Sequence, residues 1–133
     1  MPNTHCPCGK PQPFERCCGR FLAVAEAAVA AVPDAEHLMR SRYSAYCRKD
    51  TAWLLATWHP ATRPTHLDLD EDPAPQWLGL SIQHHTQHDA DHATVEFIAR
   101  YKINGRAHRL HEISRFERID GHWFYHDGDI QSA

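Results

Sequence analysis

The sequence lacks a long hydrophobic run. Its longest apolar stretch, FLAVAEAAVAAV, has twelve residues and contains Glu26, whereas a membrane-spanning helix needs about 18 or more. The N-terminal MPNTHCPCG has neither the basic start nor the apolar region of a secretory signal. We therefore expect no membrane span and a cytoplasmic location, where cysteine thiols stay reduced.

The sequence also lacks the charge pattern of a nucleic-acid-binding protein. Its formal net charge is −3 with histidine neutral, and no basic tract is present. Dedicated nucleic-acid binders carry a basic patch that contacts phosphates. The composition therefore argues against nucleic acid as a partner, while the twelve histidines make the net charge depend strongly on pH.

Short catalytic motifs are absent as well. The chain contains no Walker loop, no G-x-S-x-G elbow and no dinucleotide fingerprint. These absences weaken hydrolase and nucleotide-binding interpretations, although an enzyme built around a small pocket needs no such motif. Enzymatic activity is left open, and a non-enzymatic role is favoured.

Hydrophobic periodicity predicts helices in the first half of the chain. The 133 residues suggest one domain with a small appendage. An Ala-rich helix is predicted over 20–32, where Pro33 ends it. Asp34 is a suitable N-cap for a second helix over 35–49, and Asp50 for a third that ends before His59-Pro60.

Alternating side chains and turn signals predict strands in the second half of the chain. Residues 94–103, TVEFIARYKI, alternate apolar and polar side chains as a half-buried strand does. Asn-Gly at 104–105 and Asp-Gly at 120–121 are hairpin signals, and WLGLSIQHHTQ (77–87) is an earlier strand. Three helices followed by about four antiparallel strands predict an α+β fold.

Four of the five cysteines lie within thirteen positions, as Cys6-x-Cys8, eight residues, and Cys17-Cys18. Four converging thiolates suit tetrahedral zinc, and bound metal would supply the folding energy of so short and polar a segment. We therefore predict one structural zinc ion held by Cys6, Cys8, Cys17 and Cys18.

Two alternatives to the zinc site remain open. The segment could be a disordered arm with free thiols, or it could form two disulfides on oxidation, although a bond between the adjacent Cys17 and Cys18 would be strained. His5 is a further candidate ligand, but four sulfurs already complete a tetrahedron.

The cysteine pattern C-P-C-G followed by C-C-G resembles the SEC-C motif, the zinc module at the C-terminus of the SecA preprotein translocase ATPase. Four later stretches resemble the YchJ family of uncharacterised bacterial proteins: LMRSRYSAY (38–46), TWHP (57–60), WLGL (77–80) and HDGD (126–129). The resemblance implies a SEC-C-like zinc module over 1–19 and a nuclear transport factor 2-like (NTF2-like) domain over 20–133. Such a domain is a cystatin-like cone in which a curved antiparallel sheet wraps around helices.

A curved sheet of this kind can enclose a pocket. On the strand RLHEISRF, His111 and Arg115 lie on one face and Glu112 on the other, so only one set can point inward. Cross-strand ion pairs on the solvated face are the favoured role for this strand. The candidate pocket residues are Arg42, Tyr46, Trp58, His59, His111, Glu112 and Arg115.

Structural roles are also open for two of these residues, Arg42 and His59, and for other polar positions. Arg42 could pair with a buried group, and a protonated His59 would complement the C-terminal end of a helix. Cys47 on the apolar stripe of its helix is typical of a small buried hydrophobe. The stretch His84–His92 could hold a second metal ion, but a solvated strand end and loop is the favoured interpretation.

Two functional hypotheses follow. The first is a non-enzymatic zinc-binding adaptor that presents Phe14 and its neighbours to a protein partner; the resemblance implies partners near the ribosome or the protein-export machinery. The second is a small-molecule-binding protein or enzyme. It would use His111 or Glu112 as acid/base, and Arg42 or Arg115 as an anion anchor.

Overall fold

The computed structural model describes residues 6–8, 13–19, 32–67, 69 and 75–131. The helix predicted over 20–32 lies outside the described residues except for its last position. A short 3₁₀ turn, Phe14–Arg16, precedes two helices and four strands. These are α1 (Ala35–Arg48), α2 (Thr51–Ala56), β1 (Gln76–Gln87), β2 (His92–Ile103), β3 (Arg106–Ile119) and β4 (His122–Ile130).

Both predicted helix caps are confirmed. The Asp34 carboxylate accepts a hydrogen bond from the backbone N–H of His37 at 2.8 Å and begins α1. The Asp50 carboxylate accepts from the backbone N–H of Trp53 at 3.0 Å and begins α2. Such bonds satisfy N–H groups that have no partner within the helix.

Helix α2 ends earlier than the sequence predicts. Its last residue is Ala56, because Trp58 leaves the helix to form a parallel bridge with Tyr125. Two backbone hydrogen bonds hold this bridge, from Tyr125 N–H to the Thr57 carbonyl at 2.8 Å and from His59 N–H to the Tyr125 carbonyl at 2.7 Å.

The four strands form one antiparallel sheet in the order β1-β2-β3-β4. Both predicted hairpin turns are confirmed. Asn104 and Gly105 have φ values of 51° and 77°, and Asp120 and Gly121 have 52° and 80°, the left-handed values that a type I′ turn requires. Register shifts in β1 and between β3 and β4 mark β-bulges, which bend a sheet.

The core lies between the helices and one face of the sheet. On β2 the buried residues alternate with more exposed ones, as the sequence predicts. Helix α1 contacts β1, β2 and β4, and Trp53 and Leu54 of α2 are fully buried. The α+β prediction is confirmed. Within the described residues, no helix is long and apolar enough to cross a membrane.

Candidate metal centre and cavity

The structure gathers the four N-terminal cysteines into one buried cluster. The 3₁₀ turn brings Cys17 close to Cys6 and Cys8, with the Cys17 N–H donating to the Phe14 carbonyl at 3.0 Å. The four sulfur atoms all lie within 4.8 Å of one another. All four cysteines are buried, and none forms a disulfide.

The spacing of the sulfur atoms fits a single metal ion. The Sγ atoms of Cys8 and Cys17 are 3.6 Å apart, far beyond the roughly 2.05 Å of a disulfide. Four thiolates around zinc at about 2.3 Å would have their sulfurs about 3.8 Å apart. Within the described part of the chain, these cysteines are the only group of His, Cys, Asp or Glu residues placed to hold an ion.

The crowded thiols perturb one another. Hydrogen bonds from Cys18 and Cys8 hold the pKa of Cys6 well below its usual range, and the bond to Cys6 raises the pKa of Cys18. Burial and the nearby charge of Cys8 raise the pKa of Cys17 to about 11. Four thiolates this close would repel one another, whereas a bound metal ion would stabilise them together.

Helix α1 anchors the cysteine cluster through two polar contacts. The Ser44 hydroxyl lies 3.5 Å from the Cys6 sulfur. The Arg40 guanidinium donates to the Cys8 carbonyl at 2.8 Å and is oriented by an ion pair with Glu36 at 3.0 Å. These contacts show that the cysteine turn is docked on α1.

Phe14 adds an apolar contact to this anchoring. Its ring lies 4.2 Å from the Arg48 guanidinium in a cation–π arrangement. On its other side it lies so close to Gly19 that a β carbon there would be 2.8 Å from the ring. Gly19 is therefore required for Phe14 to pack beside the cysteines.

A cavity of about 280 Å³ lies between α1 and the inner face of the sheet. Arg42, Glu112 and Ser114 contribute polar groups. The walls are mainly aromatic and include Tyr43, Tyr46, Trp58, Trp77, Phe97 and Tyr125. Of the seven predicted pocket residues, Arg42, Tyr46, Trp58 and Glu112 lie in this lining.

The stretches that carry the family resemblance converge on this cavity. LMRSRYSAY supplies residues of α1, TWHP supplies Trp58, and WLGL supplies Trp77. HDGD supplies Gly128, which lies behind the Glu112 side chain. Trp77 and Tyr125 were not predicted as lining residues, because no motif or periodicity singled them out, but both lie within or beside these stretches.

Arg42 is buried, and its Nη1 nitrogen is held by two hydrogen bonds to the protein. It is 3% exposed. One nitrogen, Nη1, donates to the Leu54 carbonyl at 2.8 Å and to the Thr57 hydroxyl at 2.7 Å. The guanidinium carbon lies 5.0 Å from the Trp58 ring centre and 4.6 Å from that of Tyr125. Burial lowers the pKa of Arg42 to about 10, so the side chain remains cationic at neutral pH.

Glu112 brings a carboxylate to the cavity from β3. Its Oε2 accepts a hydrogen bond from the fully buried Ser114 hydroxyl at 2.5 Å. A β carbon at residue 128 would lie 2.2 Å from this oxygen. Gly128 in HDGD therefore leaves the space in which the carboxylate sits.

The structure places His111 and Arg115 outside the cavity. His111 faces the other side of β3 and pairs with Glu96 at 2.7 Å. Arg115 pairs with Asp127 at 2.6 Å and Asp129 at 2.7 Å. These are the cross-strand pairs that the sequence favoured for this strand. The reason is strand alternation, since Glu112 points inward and its neighbours at odd positions point outward.

His59 also lies outside the cavity lining. Its Nε2 pairs with the Glu117 carboxylate, whose other oxygen is 3.3 Å from Nε2 of His92. The His126 ring lies 4.6 Å from that of His59. His59 lies outside the cavity because the backbone bridge between Trp58 and Tyr125 holds this segment against β4. The His59 bond holds the pKa of Glu117 below its usual range.

The histidines of 84–92 are dispersed. His84 is exposed. Nδ1 of His85 lies 3.8 Å from the Glu36 carboxylate on α1. His88 contacts the Thr94 hydroxyl at 3.0 Å, and His92 pairs with Asp89 in the loop. The structure therefore does not bring this stretch together around one point.

Cys47 is half-buried on α1, where burial raises its pKa to about 11.

Comparison with known proteins identifies relatives over nearly the whole chain. The family model described as YchJ, middle NTF2-like domain, matches residues 34–128. A UPF0225 protein of Ralstonia nicotianae is 54% identical, over 97% of this chain and 93% of its own length. A UPF0225 protein of Bordetella pertussis is 52% identical, over 95% and 92%.

Two solved structures are similar to this one. The solution structure of a SEC-C motif containing protein from Rhodopseudomonas palustris has a TM-score of 0.78 and 32% identity, covering 96% of this chain and 99% of that one. The crystal structure of a SEC-C motif containing protein from Psychrobacter arcticus has a TM-score of 0.75 and 26% identity, covering 100% and 87%.

Proposed function

This chain belongs to the YchJ family, and we propose that it is a non-enzymatic adaptor whose four-cysteine cluster holds one structural zinc ion. The observation that carries the proposal is the set of four buried sulfurs within 4.8 Å of one another. In this proposal residues 1–19 form the SEC-C-like zinc module and 20–133 the NTF2-like domain.

The closed ligand set supports a structural role for the metal. Catalytic zinc keeps a position for water or substrate, whereas Cys6, Cys8, Cys17 and Cys18 fill all four positions of a tetrahedron. Bound zinc would hold the cysteine turn against α1, where Ser44 and Arg40 contact it. The module would then be a rigid surface beside the larger domain.

The adaptor role is the functional part of the proposal. A closed metal site performs no chemistry of its own, so the module would act by presenting surface to a protein partner in the cytoplasm. Partners near the ribosome or the protein-export machinery follow from the resemblance to the SEC-C motif. Reduced cytoplasmic thiols are the state that zinc binding requires.

Native mass spectrometry tests the zinc site. Protein purified without added metal or chelator should carry one zinc ion, which Cys8→Ala should lose. Cys47→Ala is the matched control, because it removes the cysteine outside the cluster and should retain the ion. A wild-type protein that carries no zinc, or a mass showing paired thiols, would refute the site.

Quantitative co-purification tests the adaptor role separately. Partners captured by the wild type should be lost from a Cys6→Ser, Cys8→Ser variant and kept by Cys47→Ser. If the double variant retains every wild-type partner while its zinc is gone, the metal module is not the interaction surface.

A second candidate function is small-molecule binding in the NTF2-like domain. The cavity of about 280 Å³, with aromatic walls and a carboxylate, favours it. Pockets of this kind, mostly apolar with few polar groups, are typical of ligand sites. Native mass spectrometry of the same sample tests this candidate by a second retained mass.

A further inference from the structure

We propose that the cavity binds a small organic cation, an ammonium group on a flat apolar body, and that Glu112 accepts the hydrogen bond of the ammonium group. This inference rests on the second candidate function and assigns its ligand class. Among the residues that the structure describes, two charged side chains line the cavity, Arg42 and Glu112, so the choice between a cationic and an anionic ligand depends on which of them is free to bind.

The Nη1 end of Arg42 is already occupied by the protein. It is 3% exposed, its Nη1 donates to Leu54 and Thr57, and its guanidinium lies beside two aromatic rings. These contacts fix the guanidinium in place and leave Nη1 with no N–H group for an anionic ligand. Arg42 therefore serves to hold α1, α2 and β4 together.

The Glu112 carboxylate, in contrast, has room to accept a further hydrogen bond. Its Oε2 accepts from Ser114, a neutral donor. Among the residues that the structure describes, no Lys, Arg or His nitrogen lies within ion-pair distance of the Glu112 carboxylate. The other acidic residues of β2 and β3, Glu96 and Glu117, each have a histidine partner. Arg42 lies in the same cavity and its charge interacts with that of Glu112, but it makes no direct ion pair with the carboxylate, which can therefore accept a hydrogen bond from a cationic ligand.

The walls of the cavity suit the same ligand. Aromatic ring faces attract cations, and they stack on flat apolar groups. Trp77 lies in a cluster with Tyr43 and Tyr46, at centroid distances of 5.7 Å and 6.0 Å. A cavity of 280 Å³ holds about nine waters at roughly 30 Å³ each. It therefore accommodates a ligand of roughly ten non-hydrogen atoms.

Three probes of nearly equal shape test the charge preference: phenethylamine, phenethyl alcohol and phenylacetate. Each is titrated into the full chain and followed by the indole N–H signals in heteronuclear NMR. Trp58 and Trp77 line the cavity and should shift. Trp53, bonded to Ser41, and Trp123, beside Arg118, report on the intact fold.

We expect the amine to bind about tenfold tighter than the alcohol, because a charged hydrogen bond is the stronger one. Phenylacetate should bind most weakly.

Glu112→Gln is the decisive variant, because it keeps the shape of the side chain and removes its charge. It should weaken phenethylamine about tenfold and affect phenethyl alcohol much less, because the amide oxygen still accepts the hydroxyl hydrogen bond. Glu96→Gln, on the outer face of β2, is the matched control and should alter neither.

The outcomes separate the ligand class from the binding function. If the alcohol or phenylacetate binds as tightly as the amine, or Glu112→Gln binds the amine like the wild type, the cation inference is overturned while ligand binding stands. If no probe shifts Trp58 or Trp77, ligand binding in this cavity fails together with the inference.

Discussion

The Glu112 carboxylate lies directly against the α carbon of Gly128. A β carbon at residue 128 would be 2.2 Å from Oε2 of Glu112 and 2.7 Å from its carboxyl carbon, closer than any real contact of this kind. β3 and β4 pair Gly128 with Ser114, whose hydroxyl donates to the same oxygen. Three residues on two strands therefore fix the position of one acidic group.

Gly128→Ala should displace the Glu112 carboxylate and destabilise the protein by about 1 kcal/mol or less, because the added methyl group meets the end of a flexible side chain rather than the backbone. Equilibrium unfolding in urea measures the loss. Gly79→Ala is the matched strand control, since its β carbon would meet the Arg100 side chain at an ordinary 3.8 Å. In the double variant Gly128→Ala, Glu112→Ala most of the loss should disappear. Simple addition of the two single effects would contradict the contact.

Ser44→Ala should lower zinc affinity about tenfold, because groups that hydrogen-bond a metal ligand typically contribute ten- to a hundredfold. The Ser44 hydroxyl lies 3.5 Å from the Cys6 sulfur. Competition with a chromogenic chelator measures the affinity. Ser41→Ala is the control, since this equally buried serine of α1 instead donates to the Leu38 carbonyl and accepts from Trp53. Equal effects of both variants would show that Ser44 does not act on the cluster.

Arg42→Lys should cost about 2–4 kcal/mol, although the charge is kept. A lysine ammonium cannot reproduce the two bonds of Nη1 together with the planar contacts to Trp58 and Tyr125. Urea unfolding is again the measurement. The exposed Arg109→Lys should stay within about 0.5 kcal/mol of the wild type, and a similar result for Arg42→Lys would contradict its anchoring role.

The Asp89 hydrogen bond should raise the pKa of His92 above its ordinary value of 6.5. The folded state then favours the protonated imidazole. Its stabilising contribution is complete below pH 6.5 and is lost as pH rises through the raised pKa. An NMR pH titration of the His92 ring measures the shift.

Asp89→Asn should lower the pKa of His92 toward 6.5, with the Glu117 carboxylate leaving a small residual rise. Asp91→Asn is the neighbouring control. Asp91 pairs with Arg118 at 3.3 Å rather than with His92, so the titration should not move. A shift of equal size in both variants would indicate a general loop effect.

Local features of this fold could be predicted because their causes are local. Asp34 and Asp50 cap helices through bonds to N–H groups three residues away. The two Xaa-Gly turns adopt left-handed conformations that few other residues tolerate. The family resemblance gave the NTF2-like domain, which periodicity alone did not identify.

The candidate site could be predicted only in part. The sequence identified the four cysteines, since thiol chemistry and spacing suffice for that, and their role as zinc ligands stays a prediction. It did not identify Ser44 as a neighbour of the cluster, because 38 residues separate it from Cys6. A contact at that separation depends on where α1 lies, not on either residue.

By itself, then, the sequence determined the kinds of elements, their caps and turns, the α+β order and the grouping of the cysteines. The tertiary structure decided which face of β3 is inside. Strand alternation places His111 and Arg115 on one face of β3 and Glu112 on the other. It does not say which face turns toward the core. The packing of Phe116 and Ser114 beneath the helices selected the face with Glu112, because burial of a face is a property of the whole fold. The same packing placed Arg42 and Glu112 in one cavity and excluded His59.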